Sequence, residues 1–216
     1  MSDARRVDTP FIHGTEIIGV GAGVPTGVLS NRDLEGMMDT SAEWIVQRTG
    51  IERRHMIDPD VDDTASLAAR AMRGALDNAG LSGRDLDLII HASVTAEMTC
   101  PSNACRVADM LDAAPAGAFD LVAACSGWLY GANLADCLIR SGRYRTIGLV
   151  GCDCLTKKMD YGERTVSILF GDGAGAAIFR RTDDPGRGSI YQTMNADGSG
   201  WPALYMPNDA RDVPVN

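Results

Sequence analysis

Short apolar runs alternate along the chain with longer segments in which apolar residues recur every three or four positions. The clearest long segment is Thr64–Ala79, where alanine and leucine fall on one helical face and Gly80 follows, which is typical of a helix that ends at a glycine. The apolar runs that predict strands cover 16–20, 86–92, 118–124, 146–151, 167–170 and 174–179. This alternation predicts an α/β domain with a largely buried sheet that the last two strands close. Between them, Gly171, Gly173 and Gly175 mark either a tight turn or a close backbone approach.

Shorter helices are predicted from the residues that can begin them. Asn31 can cap one helix, and Pro101 opens another. Between them, Thr40 and Glu43 form a capping-box pattern before a short helix that Gly50 ends.

The composition changes near both ends of the chain. Residues 1–15 read as a polar arm, 16–180 hold the α/β unit, and 181–216 are polar and rich in glycine. With 45% hydrophobic residues and no low-complexity tract, the chain is expected to form a globular core.

The cysteines favour a reducing compartment. They lie mostly inside apolar periodic segments, so we expect free thiols rather than a disulfide framework. The start of the chain lacks the apolar stretch of a signal peptide, and no run reaches membrane-spanning length without a charge. We therefore expect a cytoplasmic protein with no membrane partner. The six cysteines are Cys100, Cys105, Cys125, Cys137, Cys152 and Cys154.

The charge balance argues against a nucleic-acid partner. The chain carries 20 Lys and Arg against 29 Asp and Glu, a net charge of −9, and phosphate backbones are repelled by such a field. Most of the basic residues are expected on a solvated surface, although an acidic carrier protein would need one basic patch to dock.

Cys125 follows the apolar strand 118–124 and is expected to be the first residue of a helix. Unpaired N–H groups and the macrodipole favour negative charge at a helix N-terminus, so a thiolate is stabilised there. The small residues Ser126 and Gly127 leave room for a substrate. The alternative is a buried core cysteine, since free cysteine is among the most buried residue types. For Cys152 and Cys154, two apart on a strand and without a nearby histidine, core packing is the expected role.

Three segments, 39–51, 120–131 and 171–177, resemble in sequence and order the β-ketoacyl-[acyl carrier protein] synthase III family. The resemblance extends over nearly the whole chain, from about residue 16 to about residue 207. It implies a thiolase-like α/β fold, in which two similar halves stack as five αβαβα layers and the protein forms a homodimer. On this resemblance the chain is expected to be most of the N-terminal half.

The resemblance also implies an activity. Cys125 would accept an acyl group from an acyl-coenzyme A, and a decarboxylative Claisen condensation with a malonyl thioester on acyl carrier protein would follow, in fatty acid or polyketide-type biosynthesis. Coenzyme A would be part of a substrate, with no permanently bound cofactor and no metal. The family's histidine and asparagine lie beyond Asn216, so condensation would require a C-terminal half or a complementary chain. His13, His55 and His91 are expected to be structural.

A binding surface for coenzyme A is expected near residue 44. Trp44 and Arg48 are four apart on a short helix, so an indole and a guanidinium can flank a planar base and a phosphate. The resemblance assigns this role to Thr40, Trp44, Arg48 and Arg164. Without it, Trp44 would be a core anchor, Arg48 a partner in a surface ion pair and Arg164 an ordinary loop residue.

Cys100 precedes Pro101, where the family's residue reaches into the acyl pocket of the partner subunit. The small side chain of Cys100 indicates acyl groups longer or wider than acetyl. Two alternatives stay open at this stage: a natural-product acyltransferase on the same scaffold, and a non-catalytic half-length interaction partner.

Overall fold

The structure is a computed structural model, and it describes residues 12–206. Within these residues, seven strands, which form two sheets, and six α-helices follow one another along the chain. The strands are β1 (Gly14–Gly23), β2 (Gly27–Ser30), β3 (Arg53–Met56), β4 (Leu88–Ala92), β5 (Gly117–Leu121), β6 (Thr146–Cys154) and β7 (Asp172–Thr182). The helices are α1 (Asn31–Glu35), α2 (Ala42–Thr49), α3 (Thr64–Ala79), α4 (Asn103–Met110), α5 (Gly127–Arg140) and α6 (Arg164–Ser167).

A mixed five-stranded sheet in the order β1-β7-β6-β4-β5 forms the centre of the fold. β4 runs parallel to both β5 and β6, whereas β7 is antiparallel to β1 and β6. The carboxyl ends of β4, β5 and β6 therefore meet at one edge, which we call the carboxyl edge. The loops that follow these three strands start there, and β7 begins there opposite the end of β6.

Helix α3 packs so closely on one face of the sheet that β1 needs glycine beneath it. A Cβ atom at Gly19, Gly21 or Gly23 would lie 2.2–2.4 Å from a backbone oxygen of α3. The alternating glycines of β1 and the alanines of α3 are thus two sides of one close contact. The largest core cluster lies between the sheet and helices α3 and α4, and it includes residues of this contact.

Helix α5 covers only part of the opposite face. It packs over β4, β6 and β7 in a second core cluster. Beside it, Ile17 and Val20 of β1 are 51% and 61% exposed, and Leu129 of α5 is 64% exposed. Ile17 and Val20, together with Gly151, Gly175 and Ala177, line an apolar depression of about 360 Å³, which we call the α5 groove.

A small lobe, made of the two-stranded antiparallel β2–β3 sheet with α1 and α2, has its own core. The buried guanidinium of Arg54 links β3 to β2, to α1 and to the residue after α6: it donates to the carbonyl oxygens of Leu29 (3.1 Å) and Ile168 (3.2 Å) and to Oδ1 of Asn31 (2.8 Å). Because Ile168 directly follows α6, this contact places α6 next to α2.

The α/β class is confirmed, and five of the six predicted strands are present with shifted ends. α3 has the predicted bounds. β1 begins at Gly14, so the last two residues of the predicted arm 1–15 lie in the sheet; residues 1–11 and 207–216 are outside the described chain. Within residues 12–206, no helix is both long and apolar enough to cross a bilayer.

The predicted strand 167–170 is wrong. Residues 164–167 form α6, because the side chain of Glu163 accepts a hydrogen bond from the backbone N–H of Thr165 and starts a helical turn. The apolar residue Ile168 is buried in the small lobe rather than in the sheet. A single strand, β7, takes the place of the predicted closing pair, and it lies between β1 and β6.

Two helix starts also differ from prediction. Ser30 caps α1, which ends at Glu35, and Ser41 rather than Thr40 caps α2, accepting from the N–H of Trp44 at 3.1 Å. The two-stranded β2–β3 sheet was not predicted. Its strands have four residues each, and Arg53, Arg54 and His55 hide the apolar alternation that would indicate a strand.

Candidate active site

Cys125 lies at the carboxyl edge, in the turn between β5 and α5. It occupies the middle of a single helical turn, Ala124–Ser126, and α5 begins at Gly127. The thiol is therefore two residues before the helix rather than its first residue as predicted. Its side chain is exposed, which excludes packing in the core of the described residues. Ala124 has φ = 44°, in the left-handed region that alanine rarely adopts. Strain of this kind concentrates at functional sites.

Glycines let α5 approach the sheet closely enough to hold Cys125 over the strand ends. A Cβ atom at Gly131 would lie 2.4 Å from Cδ1 of Leu149, and one at Gly127 would lie 3.2 Å from Cβ of Ala92. Any larger residue at Gly131 would lift the helix. The position of the thiol therefore depends on how closely the start of α5 packs on β4 and β6.

His91 and Asp120 form a partly buried pair on the neighbouring strands β4 and β5. His91 of β4 is fully buried, and its Nδ1 is 3.1 Å from Oδ1 of Asp120 on β5. Asp120 also accepts from the N–H groups of Asn103 and Ala104, each at 2.8 Å, and so caps α4. Burial raises the pKa of Asp120, but the hydrogen bonds from His91, Ala104 and Asn103 outweigh it and hold the pKa below its usual value.

The histidines have structural contacts, as predicted. His91 is tied to Asp120, Nδ1 of His55 is 2.8 Å from the Pro25 carbonyl oxygen, and Nε2 of His13 is 3.5 Å from the Arg181 guanidinium. Nε2 of His91 is buried and has no hydrogen-bond partner among residues 12–206.

The predicted coenzyme A residues come together on the small lobe. The guanidinium carbons of Arg48 and Arg164 lie 5.8 Å and 5.0 Å from the centre of the Trp44 ring, within range of cation–π attraction. Arg164 also donates to the backbone oxygen of Asp39 at 2.7 Å. Trp44 packs against the core of the lobe as well, so it is both an anchor and part of an exposed aromatic and basic surface. Nearby, Oγ1 of Thr40 is buried and has no hydrogen-bond partner in the described part of the chain.

Cys100 lies in the loop from β4 to α4, which also starts at the carboxyl edge. The backbone N–H of Ser93 donates to the oxygen of Leu121, so the beginning of this loop runs beside the segment that leads to Cys125. Cys100 is exposed near the far end of the loop. Both cysteines therefore lie on segments that leave the sheet at the same edge.

Asp172 shows what the glycine-rich 171–177 segment does. Its carboxylate accepts from the N–H groups of Ile57 (2.8 Å) and Thr156 (2.9 Å) and from the Thr156 hydroxyl, joining three segments distant in sequence. A Cβ atom at Gly171 would lie 2.9 Å from Cβ of Arg54, so glycine allows the small lobe to approach. The segment leads into β7 rather than forming a turn between two strands, and Gly171 shows the close backbone approach that was the alternative prediction for these glycines.

The remaining cysteines are as predicted. All six thiols are free, and Cys152 and Cys154 are buried in the main core. Sequence reasoning missed the carboxylates that hold the carboxyl edge together, namely Glu97, Asp153 and Asp172. Their partners lie far away in sequence, so no local pattern marks them.

Comparison with known proteins gives consistent matches. A family model described as "3-Oxoacyl-[acyl-carrier-protein (ACP)] synthase III" matches residues 119–198. The β-ketoacyl-[acyl-carrier-protein] synthase III of Caldanaerobacter subterraneus subsp. tengcongensis is 42% identical over 200 residues, which cover 93% of this chain and 60% of that protein.

Solved structures agree with these matches. The 3-oxoacyl-[acyl-carrier-protein] synthase III of Aquifex aeolicus VF5 superposes with a TM-score of 0.76 at 43% identity, over 79% of this chain and 55% of that one. The priming β-ketosynthase of the R1128 polyketide biosynthetic pathway superposes with a TM-score of 0.78 at 34% identity, over 84% and 54% of the two chains.

The sheet, its covering helices and the thiol at a strand end define a protein with the thiolase-like α/β fold. Within that class, the chain belongs to the β-ketoacyl-[acyl-carrier-protein] synthase III family. It spans about 60% of the length of the curated relatives it matches.

Proposed function

We propose that this chain supplies the nucleophile half of a condensing enzyme, in which Cys125 takes an acyl group from an acyl-coenzyme A. The observation that carries the proposal is the exposed thiol on a turn with a left-handed residue, at the end of a parallel strand. The thiolate attacks the thioester carbonyl, the tetrahedral intermediate collapses, and coenzyme A leaves as its thiolate while the acyl group stays on sulfur. The N–H of Cys125 itself is a candidate donor to the oxyanion.

The surface around Trp44 suits the nucleotide end of coenzyme A. An indole face with two guanidinium groups within 6 Å offers stacking to an adenine and charge to phosphates. The backbone contact of Arg164 with Asp39 reduces the conformational freedom that this arginine would lose on binding. Coenzyme A is a substrate in this proposal and leaves after each acyl transfer.

Condensation follows in the complete enzyme. A malonyl thioester on acyl carrier protein loses carbon dioxide, the resulting enolate carbon attacks the acyl-enzyme carbonyl, and the new carbon–carbon bond forms as the Cys125 thiolate is released. The enolate oxygen needs preorganised donors, and losing one such donor typically lowers a rate by about a hundredfold or more. We assign those donors to a C-terminal half.

The α5 groove and the open sheet edge support this assembly. A second half that covered Ile17, Val20 and Leu129 would remove three exposed apolar side chains from water. On the other side, β5 ends the sheet without a neighbouring strand among the described residues, and Val122 just beyond it is 74% exposed. An open strand of this kind can pair with a second copy, which is consistent with a homodimer.

Peptide mapping after incubation with a short acyl-coenzyme A tests the first step. The added mass should fall on Cys125 alone and disappear in Cys125→Ala, whereas mass on the equally exposed Cys137 would contradict the proposal. Cys125→Ser should keep the packing of the turn but lose most of the transfer. No acylation at all would favour the non-catalytic interaction partner.

The second step is tested by malonyl decarboxylation with and without the second half. This chain alone should not catalyse it, and full turnover by a monodisperse preparation of residues 1–216 would contradict the assignment. A polyketide-type role is the second candidate, since a priming ketosynthase of a polyketide pathway is among the structural matches. Transfer to an acceptor other than a malonyl thioester would distinguish it.

A further inference from the structure

The carboxylate of Glu97, in the loop from β4 to α4, accepts four hydrogen bonds. Oε1 receives the N–H of Thr64 at 2.8 Å and Nζ of Lys157 at 2.7 Å. Oε2 receives Nδ2 of Asn103 at 2.7 Å and a guanidinium nitrogen of Arg106 at 3.0 Å. Two of the four donors are cationic, so the bonds are charge-assisted and stronger than neutral ones.

The four donors come from three separate elements. Thr64 begins α3, Lys157 is in the helical turn Leu155–Lys158 after β6, and the other two lie on α4. Lys157 also reaches Oγ1 of Thr64 at 3.0 Å, and Arg106 pairs with Asp63 at 2.6 Å. Glu97 is therefore the hub of a network that joins the loop to α3, to α4 and to the end of β6.

In the loop from β4 to α4, Glu97 lies between a hydrogen-bonded base and an exposed tip. At the base, Asp153 accepts from the Val94 N–H at 2.8 Å and the Ser93 hydroxyl at 3.1 Å. Glu97 is the last residue of the loop before the exposed tip at 98–100. Within residues 12–206 the tip has no hydrogen bond of its own, so its direction is set by the residues on either side.

We propose that Glu97 is a positioning residue that fixes this tip at the carboxyl edge and thereby sets the acyl selectivity of the site. This inference rests on the proposed function, since acyl selectivity requires a site that takes an acyl group. The tip follows β4 and Cys125 follows the neighbouring parallel strand β5, so both leave the same edge of the sheet. In the homodimer implied by the family resemblance, the tip of one subunit would line the acyl pocket of its partner. When the four hydrogen bonds of Glu97 hold the tip, the tip presents one conformation to an acyl chain. A tip released from them samples several shapes and discriminates less.

Glu97→Gln is the direct test, because it keeps the shape but removes the charge and turns two acceptors into one acceptor and one donor. Asp112→Asn is the matched control: Oδ2 of Asp112 accepts two hydrogen bonds from the Arg84 guanidinium (2.9 Å and 2.6 Å), in a part of the chain away from the carboxyl edge. The first measurement is the rate at which thermolysin cuts the loop before Met98, relative to a free peptide with the same substitution. Glu97→Gln should raise this relative rate by about tenfold, the worth of a lost charge-assisted bond, and the control should not.

The second measurement is competition between acetyl- and octanoyl-coenzyme A for Cys125, with this chain joined to its second half. The selectivity ratio should move towards one in Glu97→Gln, with a larger change in KM than in kcat for the preferred substrate. Lys157→Gln should act in the same direction, and the double variant should add less than the sum of the two, because both remove one contact.

The outcomes separate this inference from the proposed function. An unchanged cutting rate, or faster cutting with unchanged selectivity, overturns the positioning role while Cys125 acylation stands. A wild-type protein that takes no acyl group at Cys125 refutes the proposed function and the selectivity role together, and the cutting rate still decides whether Glu97 anchors the loop.

Discussion

Glu97 should make the free energy of unfolding depend on pH between about 2 and 4.5. Substitution of Glu97 alone should remove this dependence. Burial raises the pKa of Glu97, but hydrogen bonds from Lys157, Thr64 and Asn103 prevail and lower the pKa from 4.5 to about 2. At about 1.4 kcal/mol per pKa unit the difference is worth about 3 kcal/mol. Because the side chain is 19% exposed, solvent screening reduces this to about 2 kcal/mol.

The sign follows from a carboxylate whose pKa is lower in the folded chain than in the unfolded one. The stabilisation is fully present above the unfolded pKa, declines as the pH falls from about 4.5 towards about 2, and is absent below that. Urea unfolding at pH 7, 5, 4 and 3 measures it. The wild type should exceed Glu97→Gln by about 2 kcal/mol at neutral pH, and the gap should close on acidification. A gap that is constant with pH, or that widens in acid, would refute the reasoning. The exposed pair removed by Asp112→Asn should be worth less than about 1 kcal/mol.

Substitutions at three further residues test the small lobe and the tip of the loop from β4 to α4. Arg48→Ala should weaken coenzyme A binding by roughly tenfold or more in titration calorimetry, the cost of one charge-assisted contact, and unchanged binding would make the arginine a simple surface residue. Cys100→Phe should shift acyl preference towards short chains in the competition assay, and an unchanged profile would count against both the loop and the dimer. Arg54→Met should lower the free energy of unfolding by roughly 2–4 kcal/mol, since three acceptors lose their donor. Arg54→Lys should recover part of this loss, and equal losses would contradict the contact as the cause.

Local pattern was sufficient wherever one element carries its own signal. α3 has the predicted bounds because its apolar face is regular and Gly80 takes up φ = 67° at its end. The thiol at the β5–α5 turn was also located from the sequence, since strand, turn and helix are contiguous there. The prediction of Cys125 as the first helical residue failed by two positions because Ala124 adopts a left-handed conformation that no apolar pattern encodes.

Partners distant in sequence account for the failures. Ile168 looks like part of a strand, but it is buried against the small lobe through contacts with elements more than a hundred residues earlier. The partners of Glu97 on α3 and after β6 are 33 and 60 residues away. Asp172 meets Ile57 across 115 residues. A carboxylate with such partners looks in the sequence like any solvated acid.

These distant carboxylates share one location, and that explains how the surroundings of Cys125 can be preorganised by this chain. Asp120, Asp153, Glu97 and Asp172 lie at or near the carboxyl edge, and each accepts from at least two donors on other segments. The loops that leave this edge are thereby fixed by contacts within this chain. The opposite feature is the α5 groove, where apolar side chains remain exposed and no contact in the described chain covers them. We therefore expect the geometry of the Cys125 turn to be independent of a second half, whereas the surface beside α5 and the chemistry after acylation depend on it.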